Sequence, residues 1–172
     1  HLSGFAGAGV VDSWELGGGH FVLKTVCQLP QKNHAGKWGG MTMRAIKIYE
    51  SLDGTVPMRE FLASLDKKLR RKLLLQIVRL SQVPLCELKE PHFKHFVLEK
   101  YSQLYELREK NKVLVRVIFT IQDGDIILLA PFFKRQPRDT MRALEQSLGI
   151  LADIRDHPEC AVNIEVLKEE AT

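Results

Sequence analysis

Little in this chain points to a membrane, a disulfide scaffold or a metal centre. No apolar run approaches the ~20 residues that a membrane-spanning helix needs. The three cysteines, Cys27, Cys86 and Cys160, are scattered without CxxC spacing. That argues against a disulfide framework or a zinc site and fits a reducing, cytoplasmic setting. No basic segment leads into an apolar stretch near the start, so a secretory signal is not expected. Repeats and low-complexity segments are missing too, and no cofactor is implied. What remains is an ordinary globular composition, 45% hydrophobic and 27% charged over 172 residues, enough for one domain with a real core.

The charge is unevenly spread. Between Asp66 and Arg138 there are 16 Lys and Arg against 8 Asp and Glu, whereas from Asp139 to the end there are 3 against 8. A basic middle suits a polyanion, of which nucleic acid is the usual one, although a solvated helix face beside an acidic tail produces the same count.

Residues 1–42 differ from the rest. They are Gly-rich, with GGG at Gly17–Gly19 and GG at Gly39–Gly40, and show no sustained period. They read as an extension, disordered or non-native, with Phe21–Val26 as one short candidate strand; Met41-Thr42-Met43 reads like a start. The domain is expected over 43–156, followed by an acidic tail at 157–172. Within the domain, MRAIKIYE alternates as a strand, and Pro57 opens a helix. Asp66 serves as N-cap for a second helix to about Gln82. Leu62, Leu65, Leu69, Leu73, Ile77 and Leu80 form one apolar stripe across both. FKHFVL (Phe93–Leu98) reads as a strand. Then come YELREKNKVLVRVIFT (Tyr105–Thr120) as a hairpin, and DIILLAPFFK (Asp125–Lys134) after an Asp123-Gly124 type I′ turn. A last amphipathic helix after Pro137 should stop at Pro158. The order is α+β: two N-terminal helices packed on an antiparallel sheet, with a C-terminal helix.

The hairpin carries charges that a plain core hairpin does not need. Matching apolar faces requires even-numbered residues to oppose even-numbered ones. A three-residue loop, Lys110–Lys112, pairs Glu109 with Val113, Arg108 with Leu114, and Glu106 with Arg116. Following the Asp-Gly turn, Arg116 faces Pro131, and Lys134 and Arg135 arrive at the same end as Arg108. Such a cation cluster is under-compensated by Glu106 and asks for an external anion. Guanidinium groups suit phosphate because they bind it bidentately and stay charged. The alternative is that the arginines are surface strand residues balanced by nearby acids.

The residues YELR at Tyr105–Arg108, the Arg in VRVIF, IILLAPFFKR at Ile126–Arg135, the helix after it, and G-x-x-P-x-x-x-F-L at Gly54–Leu62 together resemble the RelE/ParE-type toxins of toxin–antitoxin pairs. The likeness is greatest to their phage-derived HigB-like branch. The resemblance implies a RelE-like fold and a metal-independent endoribonuclease that cuts messenger RNA on the ribosome by 2′-OH attack on the adjacent phosphate. It implies Arg116 on the scissile phosphate, Arg108 as a second phosphate contact, and Lys134 or Arg135 stabilising the transition state or protonating the leaving group. Glu106 is then a base or a structural partner, and His95 and His92 are acid–base candidates. The chain departs from the pattern at Met141, where relatives carry Tyr, at His157, and at the spacer shortened to Gln136. The implied partners are a cognate helix-turn-helix antitoxin, mRNA and the ribosome, with no membrane. A gyrase-type inhibitor that cuts nothing, or an inactive RNA-binding relative, is the alternative.

Overall fold

The computed structural model describes residues 11–17, 20–25 and 44–168. A three-stranded sheet is built from β1 (Val11–Gly17), β2 (His20–Thr25) and β9 (Glu165–Lys168) in the order β1-β2-β9. The expected strand at Phe21–Val26 thus corresponds to β2. β1 also falls within the expected extension at 1–42, whose other residues, Val26, Met41 and Thr42 among them, lie outside the described residues.

The main sheet has six strands in the order β4-β5-β6-β7-β3-β8. They are β3 (Ile46–Tyr49), β4 (Phe93–His95), β5 (Leu104–Asn111), β6 (Val113–Gln122), β7 (Asp125–Phe133) and β8 (Ala161–Asn163). All neighbours run antiparallel except β3 and β7. The helices are α1 (Pro57–Ser64), α2 (Lys67–Gln82) and α3 (Pro137–Asp156). Pro57 sits at the start of α1, and the Asp66 carboxylate caps α2 by accepting from Leu69 N–H at 2.9 Å. Arg70 Nε and Nη2 donate to the Leu62 and Leu65 carbonyls at 2.9 and 2.7 Å, which satisfies the open end of α1 and locks the helix pair.

The helices occupy opposite faces. On one side Leu62, Leu69, Leu73 and Ile77 of α1 and α2 pack with Val115, Val117, Phe119, Ile126 and Leu128. On the other, Ala143, Leu144, Ile150 and Leu151 of α3 pack with Ile118, Ile127, Leu129 and Ala130. The α+β architecture expected from the element order is the one observed.

Four details differ from expectation. FKHFVL forms a strand only over Phe93–His95, after which Val97 and Leu98 are exposed. The β5–β6 link is one residue, Lys112 at φ 63°, not three, so Asn111 pairs with Val113 and Arg108 stands opposite Arg116. Glu106 consequently faces Ile118 rather than Arg116. The Asp123-Gly124 turn has both residues at positive φ and pairs Gln122 with Asp125 as expected, but a bulge follows at Leu129, so Arg116 faces Phe132 instead of Pro131. Finally, the main sheet continues into 157–172, the stretch expected as an acidic tail. Beyond Pro158, β8 pairs with β3, and Cys160 and Ile164 are buried, because β3 would otherwise leave an open edge.

Candidate functional site

The site begins with an alternation. Residues of one parity along a strand share a face, so Glu106, Arg108 and Lys110 of β5 lie on the side that carries α3. Ile118 and Arg116 of β6 share that face, and the α3 contacts lie at the Ile118 end, among Ile118, Leu129 and Ala130. The two-position shift in hairpin register leaves the faces unchanged because the side-chain period is two. The bulge does the opposite. With the extra residue Leu129 taken up, Lys134 N–H donates to the Leu114 carbonyl at 2.9 Å. That brings Lys134 into line with Leu114, on the arginine face; a regular ladder would have set it opposite Val113 on the helical-hairpin side.

Directly opposed like charges destabilise a sheet unless something intervenes. Glu106 intervenes. It is 1% exposed, and its Oε1 accepts from Arg108 Nε at 2.8 Å and lies 3.6 Å from Arg116 Nε. Glu106 was expected to partner Arg116; its shorter contact is with Arg108. Arg108 Nη1 also lies 3.8 Å from the Glu90 carboxylate, and Arg116 Nη1 donates to the Val115 carbonyl at 3.1 Å. Among the described residues the Nη2 groups of both arginines have no protein partner. Burial pulls the Arg116 guanidinium below its ordinary value; Glu106 opposes the shift and the Arg108 charge adds to it. The group stays a cation, one whose charge the protein compensates incompletely.

A cleft of about 270 Å³ opens over these groups, lined by Pro91, His92, Arg108, Glu109, Lys110, Leu114 and Arg116. His92 anchors β5 through its carbonyl, which accepts from Arg108 N–H at 2.7 Å. Its Nδ1 lies 3.4 Å from Gln76 Nε2 of α2; with the amide donating, Nε2 carries the ring proton. Lys110 completes the stripe that starts at Glu106: the one-residue link makes it a strand residue rather than part of the expected loop, on the face that the alternation gives the arginines. Lys134 and Arg135 do not line the cleft. Lys134 meets its lining only through the backbone bond to Leu114, and Asp139 Oδ2 holds the following segment by accepting from the Arg135 and Gln136 N–H groups, both at 2.9 Å. Those two bonds keep the Asp139 carboxyl below its ordinary range.

His95 is brought elsewhere. It pairs with Tyr105 on the α1–α2 face, its ring stacked on that residue at 4.3 Å, and its Nε2 lies 2.6 Å from the Ser102 carbonyl. The sheet therefore separates His95 from the arginines. Met141 is 47% exposed on α3, and His157 ends that helix beside Glu159 at 3.6 Å. A larger cleft, about 550 Å³, lies at the far end of α3, but its cations Lys47 and Arg155 sit 3.5 and 3.8 Å from Asp125 and Asp156. Among the described residues no group of His, Cys, Asp and Glu is arranged to hold a metal, and no helix is long and apolar enough to cross a membrane.

Comparison with curated proteins and with solved structures finds no match. A family model described as phage-derived protein Gp49-like matches residues 60–146, half of the chain. That span runs from α1 into α3 and takes in Glu106, Arg108, Arg116, Lys134 and Arg135. The chain belongs to the phage-derived Gp49-like family, within the RelE/ParE-like toxin superfamily of toxin–antitoxin systems.

Proposed function

We propose that this protein is a HigB-like toxin acting in the cytoplasm as a ribosome-dependent mRNA endoribonuclease. The observation that carries the reading is the pair of opposed arginines with unpartnered Nη2 groups in a cleft walled by further polar groups. Attack of a ribose 2′-OH on its neighbouring phosphate gathers negative charge on the phosphoryl oxygens, and fixed cations that need no reorganisation lower that barrier. Arg116 contacts the scissile phosphate and Arg108 the same or the adjacent one. Lys134 and Arg135 supply further positive charge from the cleft border. The attacking 2′-OH gives up its proton to water, and as the bond to the 5′-oxygen breaks that oxygen takes a proton from His92, the imidazole lining the cleft. A cognate antitoxin with a helix-turn-helix silences the toxin.

Expression in a bacterial host arrests translation and leaves cleaved transcripts under this reading. Arg116→Ala relieves the arrest while the purified variant keeps its circular dichroism spectrum. Arrest with intact mRNA and DNA-damage signalling would sink the proposal and favour a gyrase-type inhibitor.

A further inference from the structure

We propose that Glu106 is the positioning residue of the phosphate site, a buried carboxylate that hydrogen-bonds Nε of Arg108 and pairs by charge with Arg116, and so turns their Nη groups toward the cleft. The inference rests on the phosphate reading above. Three observations carry it. Glu106 is 1% exposed, which excludes it as a group that meets substrate directly. One of its oxygens serves Nε of Arg108 at 2.8 Å and lies 3.6 Å from Nε of Arg116, so a single anion spans both strands. Its other oxygen, Oε2, is buried with no hydrogen-bond partner among the described residues. A carboxylate placed only to satisfy its own hydrogen bonds would not be left half-used. Here the geometry serves the arginines.

The physical logic is that an arginine's planar fork binds phosphate well only when its plane is fixed. A guanidinium offers Nε–Nη and Nη–Nη edges. In Arg108 the bond from Nε to Glu106 removes one edge from choice and directs the other outward, while Arg116 Nε, 3.6 Å from the same oxygen and without a hydrogen-bond partner among the described residues, is held by charge alone. The opposed arginines would also repel each other, and the carboxylate holds them at the spacing the strands impose. Glu106 thereby lowers the site's net charge while raising its order. These two effects predict opposite signs when the charge is removed.

That opposition defines the test. The probe is a fluorescein-labelled 2′-O-methyl hexaribonucleotide, which cannot be cleaved, followed by anisotropy at several salt concentrations. Glu106→Gln adds one net positive charge to the site. Positioning predicts that the affinity nevertheless falls about tenfold and that the salt slope flattens by about 0.7, one phosphate contact on a single strand. Equal or tighter binding by Glu106→Gln, with Arg116→Ala weakened, overturns the positioning role and leaves the phosphate site standing. Failure of the wild-type protein to bind, or equal binding by Arg116→Ala, overturns the phosphate reading and this proposal with it.

A second measurement needs no folded variant at position 106. In the ¹⁵N spectrum of the wild-type protein titrated with inorganic phosphate, the Nη signals of Arg108 and Arg116 should shift while the Nε–H signal of Arg108, engaged by Glu106, stays. Assignments come from Arg108→Lys and Arg116→Lys. An Arg108 Nε–H signal that shifts as far as its Nη signals, or no shift at either, would overturn the proposal.

Discussion

Arg108 and Arg116 stand directly opposite each other on β5 and β6, and one oxygen of Glu106 reaches Nε of the first at 2.8 Å and lies 3.6 Å from Nε of the second. A sheet that sets two cations face to face normally loses stability there. The carboxylate beneath them makes the arrangement tenable, and the unequal distances make the two arginines unequal in what their removal does.

Arg108→Ala should therefore destabilise the protein more than Arg116→Ala. Losing Arg108 strips a buried carboxylate of its 2.8 Å bond. Arg108 is itself 23% exposed, which sets the cost at the lower end for breaking a buried pair, about 3 kcal/mol. Losing Arg116 removes a longer contact and should cost about 1 kcal/mol. Urea denaturation midpoints at unchanged slope would measure both. A larger loss for Arg116→Ala would contradict the assignment of partners.

For activity the order reverses. Arg116→Ala should lower RNA cleavage in a reconstituted translation system by about 10²–10³-fold, as removal of a fixed charge-stabilising group does. Arg116→Lys should recover only a small part, because an ammonium cannot bind a phosphate edge bidentately. Full recovery by lysine would show that charge alone is needed.

The two hairpin turns should respond oppositely to side-chain changes. Lys112 adopts φ 63° and Gly124 φ 82°. Lys112→Gly relieves left-handed strain and should raise stability by about 0.5 kcal/mol after the added backbone freedom of the unfolded chain is counted, whereas Gly124→Ala should cost about 1 kcal/mol. Thermal unfolding of the two variants side by side tests the pair.

Tyr49 provides a pH signature remote from the cleft. Its buried hydroxyl donates to Asp153 Oδ2 at 2.7 Å, and burial, foremost, with that bond and the Asp153 charge pushes the phenol from 10.0 up to about 12. The folded state holds this proton more tightly than the unfolded chain does. Its contribution to stability is thus fully present below pH 10 and is lost as pH rises toward 12. Tyr49→Phe should abolish that part of the alkaline dependence and remove the tyrosinate absorbance step near pH 12. An unchanged step would contradict the burial of the hydroxyl.

Much of the scaffold was written in local pattern. The leucine stripe from Leu62 to Leu80 has helical period, Pro57 and Asp66 mark helix starts, and Asp123-Gly124 has the chemistry of a type I′ turn; each appears where those local rules put it. The parity of the hairpin was equally open to reading, since a buried arginine on the core face would go unanswered. Register was not. A lysine at positive φ is an uncommon hairpin link, so nothing in EKNKV announced a one-residue turn at Lys112. The bulge was hidden for a different reason: Ile126–Ala130 is apolar throughout because both faces of β7 are covered, so an added residue breaks no alternation.

Those two hidden features assemble the site. The short link sets Arg108 against Arg116, and the bulge turns Lys134 onto their face. His95 shows the converse. Its chain position near the hairpin made it a candidate, but pairing with Tyr105 commits it to the opposite side of the sheet. Residue types and their alternation thus singled out the cations of the proposed phosphate site, because periodicity and charge are local properties of the chain. Which of those groups meet was left to strand register, a long-range choice that depends on how β6 and β7 are buried between α1, α2 and α3.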